Sequence, residues 1–210
     1  MELLTDYHFS TCIHRNKNES FISDLNVVHN DYVKRIENNH GVSGLYPMIL
    51  SEAYSEDERV QHFKKFVEEM ALQAFTAQGY DDTVFDTVVT EMFSQEHRYS
   101  SNMEPHFHNT FFSGFYFLEV PDEDIRALFY DPKDVKVFMS AKEKNPNMLT
   151  PATSLINYNP EPGLLMLTNS WLRHSFTRNP SKLPFKFVHL GIGVVYNPNK
   201  ISSCKQPIIV

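Results

Sequence analysis

The sequence predicts a mainly β chain with a helical N-terminal region, an α+β arrangement within one domain. Three observations lead there. A single long amphipathic stretch lies early in the chain. Beyond it come separate runs rich in Val, Phe, Tyr and Thr, and prolines fall in or beside the gaps between them. At 210 residues, with 41% hydrophobic and 21% charged positions, the chain is long enough to bury a full core without staples.

The first 55 residues are mixed and polar, with turn signals at Asn38-Asn39-His40-Gly41 and Ser43-Gly44, and their pattern assigns no element. From Glu56 to Gln78 acidic residues lead, apolar Val60, Phe63, Phe66, Val67, Met70, Ala71, Ala74 and Phe75 follow at helical spacing, and Gly79 closes. That pattern predicts a helix, with Ser55 as its N-cap. Strands are expected at Val84–Phe93, Phe111–Val120, Val135–Met139, Gly163–Thr168 and Phe185–Tyr196, forming an antiparallel sandwich or barrel. Residues 1–80 would then buttress a β body spanning 84–200, and they are candidates for a homodimer contact.

Charge and cysteine content narrow the function classes. A net charge of −7 leaves no electrostatic footprint for phosphate backbones and argues against nucleic acid as the main partner. The N-terminus lacks the pattern of a signal peptide, and no apolar run reaches membrane-spanning length, so a soluble cytoplasmic protein is expected. Cys12 and Cys204 form no C-x-x-C pair and no disulfide framework, as suits two reduced thiols.

Ten histidines are the compositional anomaly. His106 and His108 form an H-x-H pair; on an extended strand residues i and i+2 face the same side, so both imidazoles could reach one metal ion. Chance alone supplies about half such a pair in a chain of this composition. Context adds more: an apolar strand, Gly163–Thr168, ends in a polar turn and then His174. A closed sandwich can return that late strand beside the early pair, which gives a three-point site with open positions.

These segments resemble the iron(II)- and 2-oxoglutarate-dependent oxygenases, particularly the type found in phage and marine bacterial genomes and related to prolyl 4-hydroxylases. "MEPHFHNTFFSGFYFLEVP" is similar to the family's E-P-H-x-D/H segment and the strand after it. "IRALFYDP" at Ile125–Pro132 resembles the next strand and turn, and Pro160–Val194 resembles the segment carrying the distal metal histidine and a later basic residue. The resemblance runs from about Thr87 to Tyr196, with the motifs in order.

The resemblance implies a jelly-roll fold, a double-stranded β-helix, holding Fe(II). His106 takes the first metal position, His174 the distal one, and His108 the position usually held by Asp or Glu. That departure leaves the site one negative charge short. Glu104, two residues before His106, is a lesser alternative. The family also implies 2-oxoglutarate and O2 as cosubstrates, the former held by a basic side chain about a dozen residues beyond the distal histidine. Lys186 fits that spacing, with Arg178 competing, and Tyr116 is a further candidate contact. On a strand that points Lys186 inward, His189 faces away, so it is not assigned to the site. No catalytic residue beyond the metal ligands is implied, and the expected activity is hydroxylation of a peptidyl or small-molecule substrate. A phage origin would place the chain in the host cytoplasm.

Two alternatives compete. A cupin-type metalloprotein would use the same sandwich without 2-oxoglutarate, but its usual Glu three or four residues beyond H-x-H is missing: no acidic residue occurs before Glu119. A non-catalytic β-sandwich binding module would keep the fold without the metal.

Overall fold

The computed structural model describes residue 4 and residues 9–41, 47–133 and 141–201. The strand expected at Val135–Met139, together with Cys204, lies outside the described residues.

Among the described residues, ten strands and two long helices build the fold. The N-terminal region supplies β1 (Ile13–Lys17), α1 (Ile22–His40), β2 (Met48–Leu50) and α2 (Gln61–Ala77). The β body follows as β3 (Phe85–His97), β4 (Met103–His106), β5 (Phe112–Glu119), β6 (Ala127–Tyr130), β7 (Leu155–Tyr158), β8 (Leu164–Asn169), β9 (His174–Phe176) and β10 (Phe185–Tyr196). A one-turn α3 (Pro198–Ile201) follows β10.

The strands form two antiparallel sheets. The larger runs β1-β8-β5-β10-β3-β2 and the smaller β4-β9-β6-β7. Apart from β6 and β7, which pair with each other in the smaller sheet, successive described strands of the β body alternate between the sheets, which is the winding of a jelly roll. Its longest ladder pairs β10 with β3 from Phe185↔His97 to Tyr196↔Phe85.

Both faces of the larger sheet are covered, and side-chain alternation sorts residues between two cores. On β10, Val188, Leu190 and Ile192 join the helix-side core with Phe63, Val67 and Ala71 of α2 and Leu25 and Val28 of α1. Phe185 and Phe187 join the core between the sheets, with Phe115, Phe117, Phe129 and Phe176.

The helix expected over Glu56–Gln78 forms as a 3-10 turn at Glu58–Val60 running into α2, but Asp57 and not Ser55 caps it: the Asp57 side chain accepts from the Arg59 amide at 3.0 Å. Gly79, at φ 88°, ends the segment. Helix α1 has no counterpart in the sequence reading. Its buried residues Leu25, Val28, His29 and Val33 keep helical spacing, but the histidine among them and the asparagines around them blunt the apolar signal.

Candidate metal centre

Three segments converge at one end of the sandwich. Pro105 cannot donate to a ladder and is tolerated because β4 is the edge strand of the smaller sheet. His106 closes that strand and sits directly opposite His174, the first residue of β9. His108 lies in the link to β5, where its amide donates to the Ser170 carbonyl at 3.0 Å. The pair therefore does not share one strand, as the H-x-H reading supposed, although the imidazoles still meet. Ring centroids are 4.9 Å apart for His106 and His108, 4.6 Å for His106 and His174, and 5.2 Å for His108 and His174. One ring nitrogen of each lies within 4.8 Å of the other two, a group able to hold a metal ion.

The backbone fixes how two of these rings present themselves. His106 Nδ1 lies 2.8 Å from the Glu104 carbonyl, and His174 Nδ1 lies 3.0 Å from the Leu172 carbonyl. A carbonyl can only accept, so each Nδ1 carries the hydrogen and each Nε2 keeps its lone pair for a metal. In His174 that Nε2 is buried without a protein partner, the condition expected of a ligand atom awaiting its ion. Burial, with a smaller contribution from His106, lowers the His108 pKa to about 4. Burial lowers that of His174 to about 3. Both are neutral at pH 7, as ligation requires. The residues present fit a metal ion of the Fe(II) or Zn(II) type. Glu104 is exposed and does not join the group.

The expected cosubstrate residues are not brought to this group. Lys186 sits on the helix-facing side of β10, where its Nζ reaches Glu119 Oε1 at 3.1 Å and Asn30 Oδ1, on α1, at 3.4 Å. Tyr116 also faces the helices and donates its hydroxyl to the Asn18 carbonyl at 2.5 Å. Arg178 is exposed and donates to Ser100 Oγ at 2.9 Å. The inward positions of β10 are instead Phe185, Phe187 and His189, all fully buried. On β10 the inner face is thus aromatic and offers no cation to a distant carboxylate. The metal end of a 2-oxoglutarate site therefore fits the three histidines, and Lys186, Arg178 and Tyr116 are all engaged elsewhere.

His189 is the site residue that sequence reasoning missed. Its Nε2 lies 3.2 Å from His108 Nε2, and the two rings are 4.4 Å apart. The signal was parity: Phe185 and Phe187 share a face with residue 189, and a charged Lys186 between two phenylalanines points the other way.

Residues 91–184 match a family model described as "Putative 2OG-Fe(II) oxygenase". The match is a similarity over just under half of the chain. Comparison with curated proteins finds no sequence match. Among solved structures, a prolyl-4-hydroxylase from Pseudomonas putida is similar at TM-score 0.56 and 9% identity, covering 87% of this chain and 93% of that one. The viral collagen prolyl hydroxylase of Paramecium bursaria Chlorella virus-1 matches at TM-score 0.53 and 9% identity, over 86% and 94% of the two chains. The alpha-ketoglutarate-dependent epimerase SnoN of nogalamycin biosynthesis matches at TM-score 0.57 and 13% identity, over 95% and 84%. At such identities these 2OG oxygenase neighbours share the jelly-roll fold with this chain.

Proposed function

We propose that this chain is a mononuclear iron(II) oxygenase of the 2-oxoglutarate family, with its metal on His106, His108 and His174 and a peptidyl or small-molecule substrate. The observation that supports it most is the convergence of three imidazoles from separate segments, one with a buried, partnerless Nε2. Bound iron would supply the activation of dioxygen. The chain's own residues do the rest. The Glu104 and Leu172 carbonyls hold two rings in the ligating tautomer. Phe115, edge-on to His174 at 4.9 Å, and Phe129, at 6.3 Å, wall the site against water. The prolyl hydroxylase neighbours suggest a peptidyl target.

Among the described residues no helix is long and apolar enough to cross a membrane, and Cys12 is a free thiol. We place the protein in a reducing cytoplasm on that basis.

One observation favours a second reading. The aromatic inner face of β10 suits a three-histidine oxygenase that takes up O2 without consuming 2-oxoglutarate. Iron-loaded protein incubated with 2-oxoglutarate and candidate substrates distinguishes the two. Succinate release supports the first reading. Oxygen uptake without succinate moves the assignment to the second. Failure of iron to bind, or binding that survives both His106→Ala and His174→Ala, overturns both and leaves a binding module.

A further inference from the structure

His189 is a fourth histidine at this centre, outside the group of three, and its position asks for an explanation. It is fully buried on the inner face of β10, with Phe93 stacked on its ring at 4.6 Å and Phe115 edge-on at 5.6 Å. A phenylalanine would continue the pattern of Phe185 and Phe187, whereas an imidazole there must bury two polar nitrogens at a cost. Its Nδ1 is buried without a partner, and its Nε2 has one side-chain neighbour within hydrogen-bond distance, His108 Nε2 at 3.2 Å.

The other two ligand rings supply the pattern that gives this contact meaning. In His106 and His174 one nitrogen donates to a protein acceptor and the other stays free. A metal-binding imidazole ordinarily has such a partner to set its tautomer and orientation. His108 has no backbone carbonyl in that role; its ring contact is His189 Nε2. The His108 nitrogen left free is then Nδ1. That atom hangs on Cγ, the branch point that carries the carboxylate oxygens of an aspartate.

Building on the metal-centre reading above, we propose that His189 is a positioning residue: its Nε2 accepts the Nε2 hydrogen of His108 and so presents His108 Nδ1 to the metal. The pair does with two neutral rings what one aspartate does with an anion, holding a ligand atom close to Cγ. His189 itself does not ligate.

The test uses Co(II) as the probe, with full-length protein. Affinity is measured by titration, and the number and mode of imidazole ligands by X-ray absorption and paramagnetically shifted proton resonances. The wild type is expected to show three imidazoles, one bound through Nδ1. His189→Phe should weaken Co(II) binding by about 10- to 100-fold, the range for losing an outer partner of a ligand. His189→Gln, whose amide oxygen can accept from His108, should recover most of that loss. In a His108→Asp background the His189→Phe penalty should disappear, which a purely structural role for His189 would not produce.

Four imidazoles in the wild type falling to three in His189→Phe would make His189 a ligand and overturn the proposal. Unchanged affinity in a folded His189→Phe protein would overturn it while leaving the metal centre standing. Wild-type protein that binds no Co(II) would overturn the centre and this proposal together.

Discussion

His97 shows how burial governs the interior histidines. It is fully buried on β3, its ring lies 5.4 to 6.1 Å from those of Phe187, Phe185 and Phe176, and its Nε2 is 3.2 Å from Gln95 Oε1. Burial lowers its pKa from the ordinary 6.5 to about 4. Between those two values the unfolded chain takes up a proton that the folded chain refuses. Stability is therefore complete above pH 6.5 and declines as pH falls towards 4, by at most about 1.4 kcal/mol per pH unit from this group. His108 and His174 add to the decline in the metal-free protein, because their pKa values are lowered in the same direction. Urea unfolding at several pH values should thus show a steep acid limb, and His97→Phe should flatten it by close to one proton. An unaltered slope in that variant would refute the assignment. Lys186 gives the opposite kind of expectation. Its partner Glu119 is 44% exposed and the pair is partly screened by solvent, so Lys186→Ala should cost about 1 kcal/mol. It should also leave 2-oxoglutarate binding, measured by calorimetry on the metal-loaded protein, within twofold of wild type; a tenfold loss would put the lysine back in the site.

Among the elements, β10 shows what a sequence conceals. Its boundaries, Phe185–Tyr196, are legible to the residue because a proline precedes it and β-branched and aromatic residues fill it. Which of its faces points inward rests on one thin signal, the charge of Lys186 between two phenylalanines, because a central strand covered on both sides is otherwise apolar on both faces. Hence an inward Lys186 and an outward His189, the sequence expectation, are the reverse of the structure. The short strands β1, β2, β4, β7 and β9 escaped for another reason. Three to five residues carry too few alternations to stand above the turns around them, and β4 contains a proline. His106, His108 and His174 were found because order and context survive even where strand boundaries do not. Turns, too, carry readable constraints. Gly163 enters β8 at φ 80°, and a Cβ there would meet Glu19 Cα at 3.0 Å. Its amide donates to the Phe117 carbonyl and its own carbonyl accepts from Asn18, so the turn ties the N-terminal region to the β body. Gly163→Ala is expected to cost at least about 1 kcal/mol, seen as a lower melting temperature. A melting temperature equal to wild type would show that the turn relaxes freely.

At the scale of the whole molecule, the N-terminal region contributes to the body itself. Strands β1 and β2 are the two outer strands of the larger sheet, and α1 and α2 cover its face. Without them Phe112, Tyr116, Leu165, Leu167, Val188, Leu190 and Ile192 would lose the residues they pack against on one whole face of the sheet. We therefore propose that the chain folds as one domain, with no independent boundary near residue 80. Two probes watch different parts of it. Ellipticity at 222 nm follows mainly α1 and α2, while the fluorescence of the sole tryptophan, Trp171, follows the turn that leads to His174 at the metal end. In urea the two signals should fall together in one transition, since coincidence of independent probes marks two-state unfolding. A fragment comprising residues 84–201 should fail to fold, because the apolar face it exposes has no partner. Separate transitions, with the helical signal lost first and the tryptophan signal persisting, would instead divide the chain at the link between α2 and β3.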